Sequence, residues 1–190
     1  MRLFVALPLP AAVRRELAFL QGGLPGARWV DEANLHVTLR FIGEVEGHEA
    51  EEIDIALAAV RWPAFDVTVA GVGCFETGKR PRVLWAGIDR NPALAGLRDK
   101  VESAVVRAGQ EPERRKFKAH VTLARFKTGR NERVGPFVAG HTGFAAGTFR
   151  ADRFTLFRSH LNHGGPHYEV LAEYPLGDGS FSGDDADEGL

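Results

Sequence analysis

The tetrapeptide His-Val-Thr-Leu occurs twice, at His36–Leu39 and again at His120–Leu123. Chance supplies only about 0.002 copies in a chain of this composition, so the repeat is informative. Alternate side chains of a β-strand project to the same face. The histidine and the threonine of each copy therefore share one face, while the valine and the leucine anchor the other face in a core. The repeat predicts two equivalent strands that each present an imidazole and a hydroxyl.

Two imidazoles and two hydroxyls suit a site that displaces one oxygen of a phosphate by another. An unperturbed imidazole has a pKa near 6.5, so one of His36 and His120 can be neutral while the other is charged. The neutral ring takes a proton from the attacking water and the charged ring protonates the leaving oxygen, each contributing about 10²–10⁴-fold. Thr38 and Thr122 can donate to the non-bridging phosphate oxygens. This chemistry needs no metal or other cofactor, and the strand pattern alone does not assign the two proton-transfer roles.

The predicted strands and helices repeat in the same order around each tetrapeptide. Strand-like runs cover residues 2–7, 35–42, 65–74, 83–88, 117–126, 149–158 and 168–174, and helix-like runs cover residues 10–21, 48–60 and 92–108. The two tetrapeptides lie 84 residues apart, close to half the chain. Strands with intervening helices indicate an α+β fold. We expect two similar lobes about a pseudo-twofold axis, within one domain that spans residues 1–176.

Composition narrows the class of protein. The chain has 190 residues, of which 44% are hydrophobic and 26% charged, as is typical of soluble globular proteins. No apolar run approaches the roughly 18 residues that a membrane span requires. Cys74 is the only cysteine, which excludes a disulfide framework and favours a reducing cytoplasm. We expect Cys74 to be a small core residue.

Charge is distributed unevenly along the chain. Residues 177–190 hold five acidic side chains and no lysine or arginine, which predicts a flexible acidic tail. Without those five charges the net charge changes from −1 for the whole chain to +4 for the body. A mildly basic body suits a polyanionic ligand.

Several further side chains are candidates for binding. The chain has two basic runs. One precedes the second tetrapeptide and consists of Arg114, Arg115, Lys116 and Lys118. The other falls in a predicted turn and consists of Lys79, Arg80 and Arg82. They could contact a phosphate backbone or be solvated surface charges. Phe41 or Trp29 could stack on a terminal base, or belong to the core. Arg40 has the same strand parity as His36, and a binding role and a structural role are equally compatible with the sequence.

The remaining histidines are weaker candidates. His160, His163 and His167 could suggest a zinc site. The stretch Asn162–Pro166 is typical of a hairpin turn instead, so we do not predict a metal site there. His48 and His141 have no partner pattern and are expected at the surface.

Taken together, the motifs resemble those of the 2H phosphoesterases, specifically the LigT-like RNA 2′,3′-cyclic phosphodiesterases, formerly called 2′-5′ RNA ligases. The resemblance covers nearly all of residues 1–176 and rests on the opening Arg2–Leu7, the segment Asn34–Glu44, the segment His120–Arg125 and the late hairpin at 156–168. One departure is Ala119, where the family often has a proline next to the histidine.

The resemblance implies a fold, a reaction and roles for individual residues. It implies two mainly antiparallel sheets that flank a central cleft, with the helices outside. The implied reaction is hydrolysis of a terminal RNA 2′,3′-cyclic phosphate to a 2′-phosphate, with His36 as proton donor and His120 as proton acceptor. Thr38, Thr122 and Arg125 would bind the substrate. Strict alternation would point Arg125 away from His120, so this role requires a strand end or a β-bulge before it.

Two alternatives remain open at this stage. One is another reaction of the same superfamily, such as cleavage or ligation of a 2′-5′ phosphodiester or opening of a small cyclic nucleotide. The other is a non-catalytic module that binds RNA ends. In each case we expect a monomer whose partner is an RNA end or a related nucleotide, and no association with a membrane.

Overall fold

A computed structural model of the protein describes residues 1–127, 129–162 and 165–177. Its strands are β1 (Arg2–Pro8), β2 (Ala27–Trp29), β3 (His36–Glu44), β4 (Phe65–Thr77), β5 (Arg80–Ile88), β6 (His120–Phe126), β7 (Ala145–Ala151), β8 (Arg153–Asn162) and β9 (Gly165–Pro175). Its α-helices are α1 (Ala11–Phe19), α2 (Gly47–Ala58), α3 (Pro92–Arg107) and α4 (Val134–Gly140), and a 3-10 turn spans Glu32–Asn34. Within these described ranges, no helix is long and apolar enough to cross a membrane.

The described strands form one sheet whose order is β7-β4-β5-β6-β3-β1-β8-β9, with β2 also paired to β6. All of the described strand pairs are antiparallel. The two halves of the sheet are joined between β6 and β3, where the only described pair is Val37 with Val121. The predicted α+β class is confirmed. The two expected sheets are continuous through this single pair.

The halves of the sheet are not halves of the sequence. Strands β1, β3, β8 and β9 form one lobe, and β4, β5, β6 and β7 form the other. The C-terminal hairpin β8–β9 therefore returns to the lobe of the first strand, where Phe157 pairs with Phe4. The equivalent units are β1-α1-β3 and β5-α3-β6, and each ends on a strand that begins with a histidine. This equivalence is the structural basis of the repeated tetrapeptide.

Local sequence explains the ends of the elements that flank the site. The Asn91 side chain accepts a hydrogen bond from the Leu94 backbone N–H at 3.0 Å and so caps α3, whose first residue is a proline. The chain leaves α3 at Gly109, which has a φ of +91°. Gly78 and Lys79 both have positive φ, at 54° and 62°, as the two-residue turn between β4 and β5 requires.

Two sequence-based strand boundaries are wrong. The predicted strand at 149–158 is two strands, because β7 ends at Ala151 and β8 begins at Arg153 beside a different neighbour. The strand predicted from residue 117 begins only at His120. At the predicted start of the tail, Gly177 forms a bridge with Pro63, and its N–H donates to the Trp62 carbonyl at 2.9 Å. The remainder of the predicted tail, residues 178–190, lies outside the described residues.

Candidate active site

Both candidate histidines are the first residues of their strands. His36 begins β3 and His120 begins β6, and the pairing of Val37 with Val121 brings these two strand ends side by side. Because neighbouring side chains of a strand alternate, the histidines leave the sheet on the face opposite to the two buried valines. We call this the histidine face. The antiparallel register also sets the threonine of each motif across from the histidine of the other.

One hydrogen bond of the same kind fixes both imidazoles. His36 Nδ1 lies 2.7 Å from the Asn34 carbonyl oxygen, and His120 Nδ1 lies 2.7 Å from the Lys118 carbonyl oxygen. A carbonyl oxygen only accepts, so Nδ1 carries the proton in each ring and Nε2 is left for chemistry. The Thr38 hydroxyl lies 3.0 Å from His36 Nε2 and donates to it while that ring is neutral.

Burial and nearby positive charge favour the neutral form of both rings. Burial, together with the charges of Arg125 and His120, lowers the pKa of His36 from 6.5 to about 4, although the hydrogen bond to the Asn34 carbonyl acts in the opposite direction. Burial also lowers the pKa of His120, with further lowering by Arg125 and Lys118. The charge of Arg125 thus lowers the pKa of both rings.

Aromatic rings enclose the two histidines to different degrees. Around His36 the ring of Phe4 lies at 4.9 Å, that of Tyr168 at 5.5 Å and that of Phe157 at 6.4 Å, measured between centroids. His120 has one described aromatic neighbour within this range, Phe75, at 5.0 Å and perpendicular to it. The greater enclosure explains why burial affects the pKa of His36 strongly. The sequence does not predict that these aromatic residues lie beside the histidines, because it does not predict the strand pairing that brings them together.

A β-bulge interrupts the strand after each threonine. In β3 the register with β1 skips Leu39, and in β6 the register with β5 skips Leu123. Each bulge adds one residue and so reverses the alternation that follows. Phe41 and Arg125, each five residues after its histidine, are consequently exposed on the histidine face. The bulge that a substrate-facing Arg125 requires is therefore present.

The same bulge decides the role of Arg40. Its side chain is only 7% exposed, and its Nε lies 2.6 Å from a carboxylate oxygen of Glu102 on α3. Its guanidinium also donates to the carbonyl oxygens of Phe41 and Glu111. The bulge therefore places the Arg40 side chain on the face opposite to His36. The sequence allowed a binding role or a structural role for Arg40, and the structure supports the structural role.

The other candidates separate into site neighbours and surface residues. The Lys118 ammonium lies 4.5 Å from the Trp85 ring and 5.2 Å from the Phe75 ring. Trp29 contacts Phe137 at 6.3 Å and packs against the core, so it is not a stacking platform on the histidine face. The remaining residues of the two basic runs are exposed or partly exposed, and Arg115 pairs with Glu113.

The weaker histidine candidates lie away from the site. His160 pairs with Glu169 across β8 and β9 at 2.7 Å, and its ring is 6.1 Å from that of His167. His163 lies outside the described residues, while the hairpin predicted around it is confirmed by the pairing of its flanks. His48 is exposed, whereas His141 is only partly exposed and packs on Phe137.

A cavity of about 830 Å³ lies beside the histidine pair rather than at it. Its lining includes Gly87, which is the register partner of His120, and Lys118 and Ala119, which precede His120. The other side of the cavity is the first turn of α3.

Comparison with known proteins agrees with this geometry. The family described as LigT like phosphoesterase matches residues 7–85 and 87–168. A relative from Aeropyrum pernix named RNA 2′,3′-cyclic phosphodiesterase is 37% identical over 153 residues, which cover 80% of this chain and 86% of that protein. A relative of the same name from Archaeoglobus fulgidus is 32% identical over 174 residues, covering 90% of this chain and 98% of that protein.

Solved structures show the same fold. A protein from Thermus thermophilus superposes with a TM-score of 0.77 at 28% identity, covering 94% of this chain and 100% of that one. E. coli LigT complexed with 3′-AMP superposes with a TM-score of 0.75 at 28% identity, covering 92% of this chain and 97% of that one. The fold is that of a phosphoesterase. The chain belongs to the LigT-like family of 2H phosphoesterases.

Proposed function

We propose that the protein hydrolyses the terminal 2′,3′-cyclic phosphate of RNA to a 2′-phosphomonoester, with His36 and His120 as a general acid–base pair and without a metal. The observation that carries the proposal is the matched support of the two rings. Each Nδ1 donates to the carbonyl of the residue two positions earlier, which leaves each Nε2 for proton transfer. The names of the relatives support the choice of RNA substrate.

The proposed reaction is a single in-line displacement at phosphorus. His120 takes a proton from a water molecule, whose oxygen forms the new bond to phosphorus. The bond from phosphorus to the ribose 3′ oxygen breaks, and His36 gives its proton to that oxygen. Thr38, Thr122 and Arg125 stabilise the charge on the non-bridging oxygens. The products are a 2′-phosphate and a free 3′-hydroxyl.

The neutral state of His36 in the free protein constrains its role as donor. The ring needs a second proton, and an anionic phosphate bound beside it raises the pKa by favouring the charged form. Once charged, Nε2 can no longer accept from the Thr38 hydroxyl 3.0 Å away, so that hydroxyl can donate to a phosphate oxygen. Phe41 is exposed on the same face with Arg2 stacked on it at 5.1 Å, and it can stack on the terminal base.

The pH dependence of kcat/KM is the first prediction from this proposal. Catalysis needs one neutral and one charged imidazole in the free protein. At a pH below the pKa values of both rings, both are charged and no base remains. At a pH above both values, which burial lowers from 6.5 (that of His36 to about 4), both are neutral and no acid remains. We expect a bell-shaped profile with its maximum on the acidic side of neutrality.

Single variants convert this profile into a test of the two roles. In His36→Ala only His120 remains, and residual activity should rise with pH as this base loses its proton. In His120→Ala only His36 remains, and residual activity should fall as pH rises through the pKa of the donor. Reversed slopes would exchange the roles. Profiles that are flat in both variants, with chemistry shown to limit the rate, would contradict the acid–base pair.

A substrate panel tests the proposed reaction against its alternatives. An RNA oligomer with a 2′,3′-cyclic phosphate, a 2′-5′-linked dinucleotide and a small cyclic nucleotide are each incubated with the protein in EDTA, and products are separated by chromatography. We expect the RNA end to give the highest kcat/KM. A higher value for either of the others would select another reaction of the superfamily. Binding of the RNA end with no turnover of any substrate would select a binding module.

The proposal extends to the setting in which the enzyme works. The body without its acidic tail carries a net charge of +4, which favours an RNA partner. A monomer is sufficient, because one chain supplies both histidines. With a single cysteine at position 74, a reducing cytoplasm suits the protein.

A further inference from the structure

Two arginines lie directly opposite each other beside the histidine pair. Strand β2 pairs with residues 124–126 of β6, beyond the point where β3 begins, and in this pairing Arg28 is the partner of Arg125. Opposite residues of an antiparallel pair have Cα atoms only about 4.5–5.5 Å apart. The two arginines therefore lie next to each other, on the strand that begins with His120 and on its neighbour.

The burial pattern of β2 shows that both arginines leave on the histidine face. The neighbours Ala27 and Trp29 pack against the core, and their partners on β6 are buried. Arg28 and Arg125 are exposed. Since alternate residues of a strand point to opposite faces, the two guanidinium groups share the face that carries His36 and His120. Arg125 lies five residues beyond His120 on β6, and Arg28 lies beside Arg125 on the edge of β6 that also carries β3.

This arrangement concentrates positive charge without internal neutralisation. Like charges directly opposite each other on paired strands are destabilising. Among the described residues, neither Arg28 nor Arg125 forms a salt bridge or a side-chain hydrogen bond that would offset the repulsion. A bound anion would offset it, because a guanidinium pair matches the oxygens of a phosphate.

We propose that Arg28 binds the phosphodiester that joins the terminal nucleoside of the RNA to the nucleotide before it, while Arg125 beside it contacts the cyclic phosphate. This inference rests on the proposed function, which places the cyclic phosphate at the histidines. In an RNA chain the next phosphate is one ribose away, and Arg28 is the cationic partner of Arg125 on the same face as the histidines. Arg28 is thus a determinant of substrate class that favours an RNA chain over a mononucleotide.

The test compares substrates that differ only in this phosphodiester. One is a dinucleotide with a 2′,3′-cyclic phosphate end and an ordinary linkage, and the other has an uncharged methylphosphonate linkage of the same size. We expect the wild-type protein to prefer the charged linkage by about 10-fold or more in kcat/KM, the range of charge-assisted hydrogen bonds. Arg28→Ala should abolish that preference, and Arg28→Lys should retain part of it.

Arg15→Ala is the matched control, because it removes the same charge from an exposed position on α1, away from the site. It should keep the wild-type preference. The inference fails if the wild-type protein does not distinguish the two linkages, or if Arg28→Ala keeps the preference while lowering both rates equally, as a purely structural defect would. If neither dinucleotide is hydrolysed, the proposed function fails, and equilibrium titration of both decides the inference alone: a preference for the charged linkage that depends on Arg28 supports it, and equal affinity overturns it.

Discussion

Replacement of His120 by alanine lowers kcat on an RNA 2′,3′-cyclic phosphate by about 10²–10⁴-fold, and replacement of His36 has an effect of the same order. Each variant removes one proton transfer, and the remaining histidine is still in place for the other. Groups that act as a unit are not additive, so the double variant should be little worse than the less active single variant. Steady-state and single-turnover rates on a short oligomer measure the loss.

The control for this prediction is His48→Ala. That side chain is 70% exposed at the start of α2, and its loss should leave kcat within about twofold, as expected for surface substitutions. Retention of full activity in either catalytic variant would contradict the mechanism. A diester whose leaving group needs no protonation separates the roles further, because the variant that lacks the proton donor should regain most of its activity on it.

Replacement of Arg40 by alanine destabilises the fold by about 3–5 kcal/mol, because it leaves the carboxylate of Glu102 without its partner in a site shielded from water. The Arg40 side chain is 7% exposed and that of Glu102 15% exposed, and their ion pair joins β3 to α3. Denaturant titration measures the change in the free energy of unfolding. The protein that remains folded should keep its kcat, since Arg40 faces away from the histidines.

Two comparisons make the stability prediction specific. Arg150→Ala removes an arginine whose ion pair with Asp66 is about half exposed, and it should cost at most about 1 kcal/mol. The double substitution Arg40→Met with Glu102→Leu should recover most of the loss, because well-packed apolar residues replace a buried ion pair without penalty. An Arg40→Ala variant as stable as the wild-type protein would show that the ion pair contributes nothing.

The contrast between Arg40 and Arg125 shows how far the sequence could lead. Alternation predicted the histidine and threonine of each motif correctly, because these residues precede the bulges. Strict alternation then assigned the wrong face to the residues that follow, because neither Leu39 nor Leu123 carries a sequence signal for a β-bulge. Only the need for a substrate-facing Arg125 indicated that the second bulge must exist.

The fold class and most of the elements could be predicted from the sequence, but the order of the strands in the sheet could not. Periodicity identified eight of the nine described strands, two of them merged into one run, and three of the four described α-helices. The run at 149–158 was predicted as one strand because Asp152 is a single residue between two apolar patterns. Strand β2 and helix α4 are short, and their patterns are too weak to distinguish from loops. The return of β8 and β9 to β1 depends on long-range pairing.

The surroundings of the histidines were also beyond the sequence. Phe4 and Tyr168 lie near opposite ends of the chain, yet their rings are 4.9 Å apart beside His36. Arg28 lies in a three-residue strand and meets Arg125 through a register that no local pattern reveals. The sequence indicated the proposed reacting groups, and the fold supplies the environment that lowers their pKa values and the pairing of Arg28 with Arg125.

Phosphorus NMR of a short oligoribonucleotide with a 2′,3′-cyclic phosphate end tests the central claim most directly, with the protein and EDTA in the sample. The account predicts that the cyclic phosphate signal gives way to that of a 2′-monophosphate, and that the His36→Ala and His120→Ala variants leave it unchanged over the same time. A persistent cyclic phosphate with the wild-type protein, a 3′-monophosphate product, or conversion only after a metal is added would contradict it.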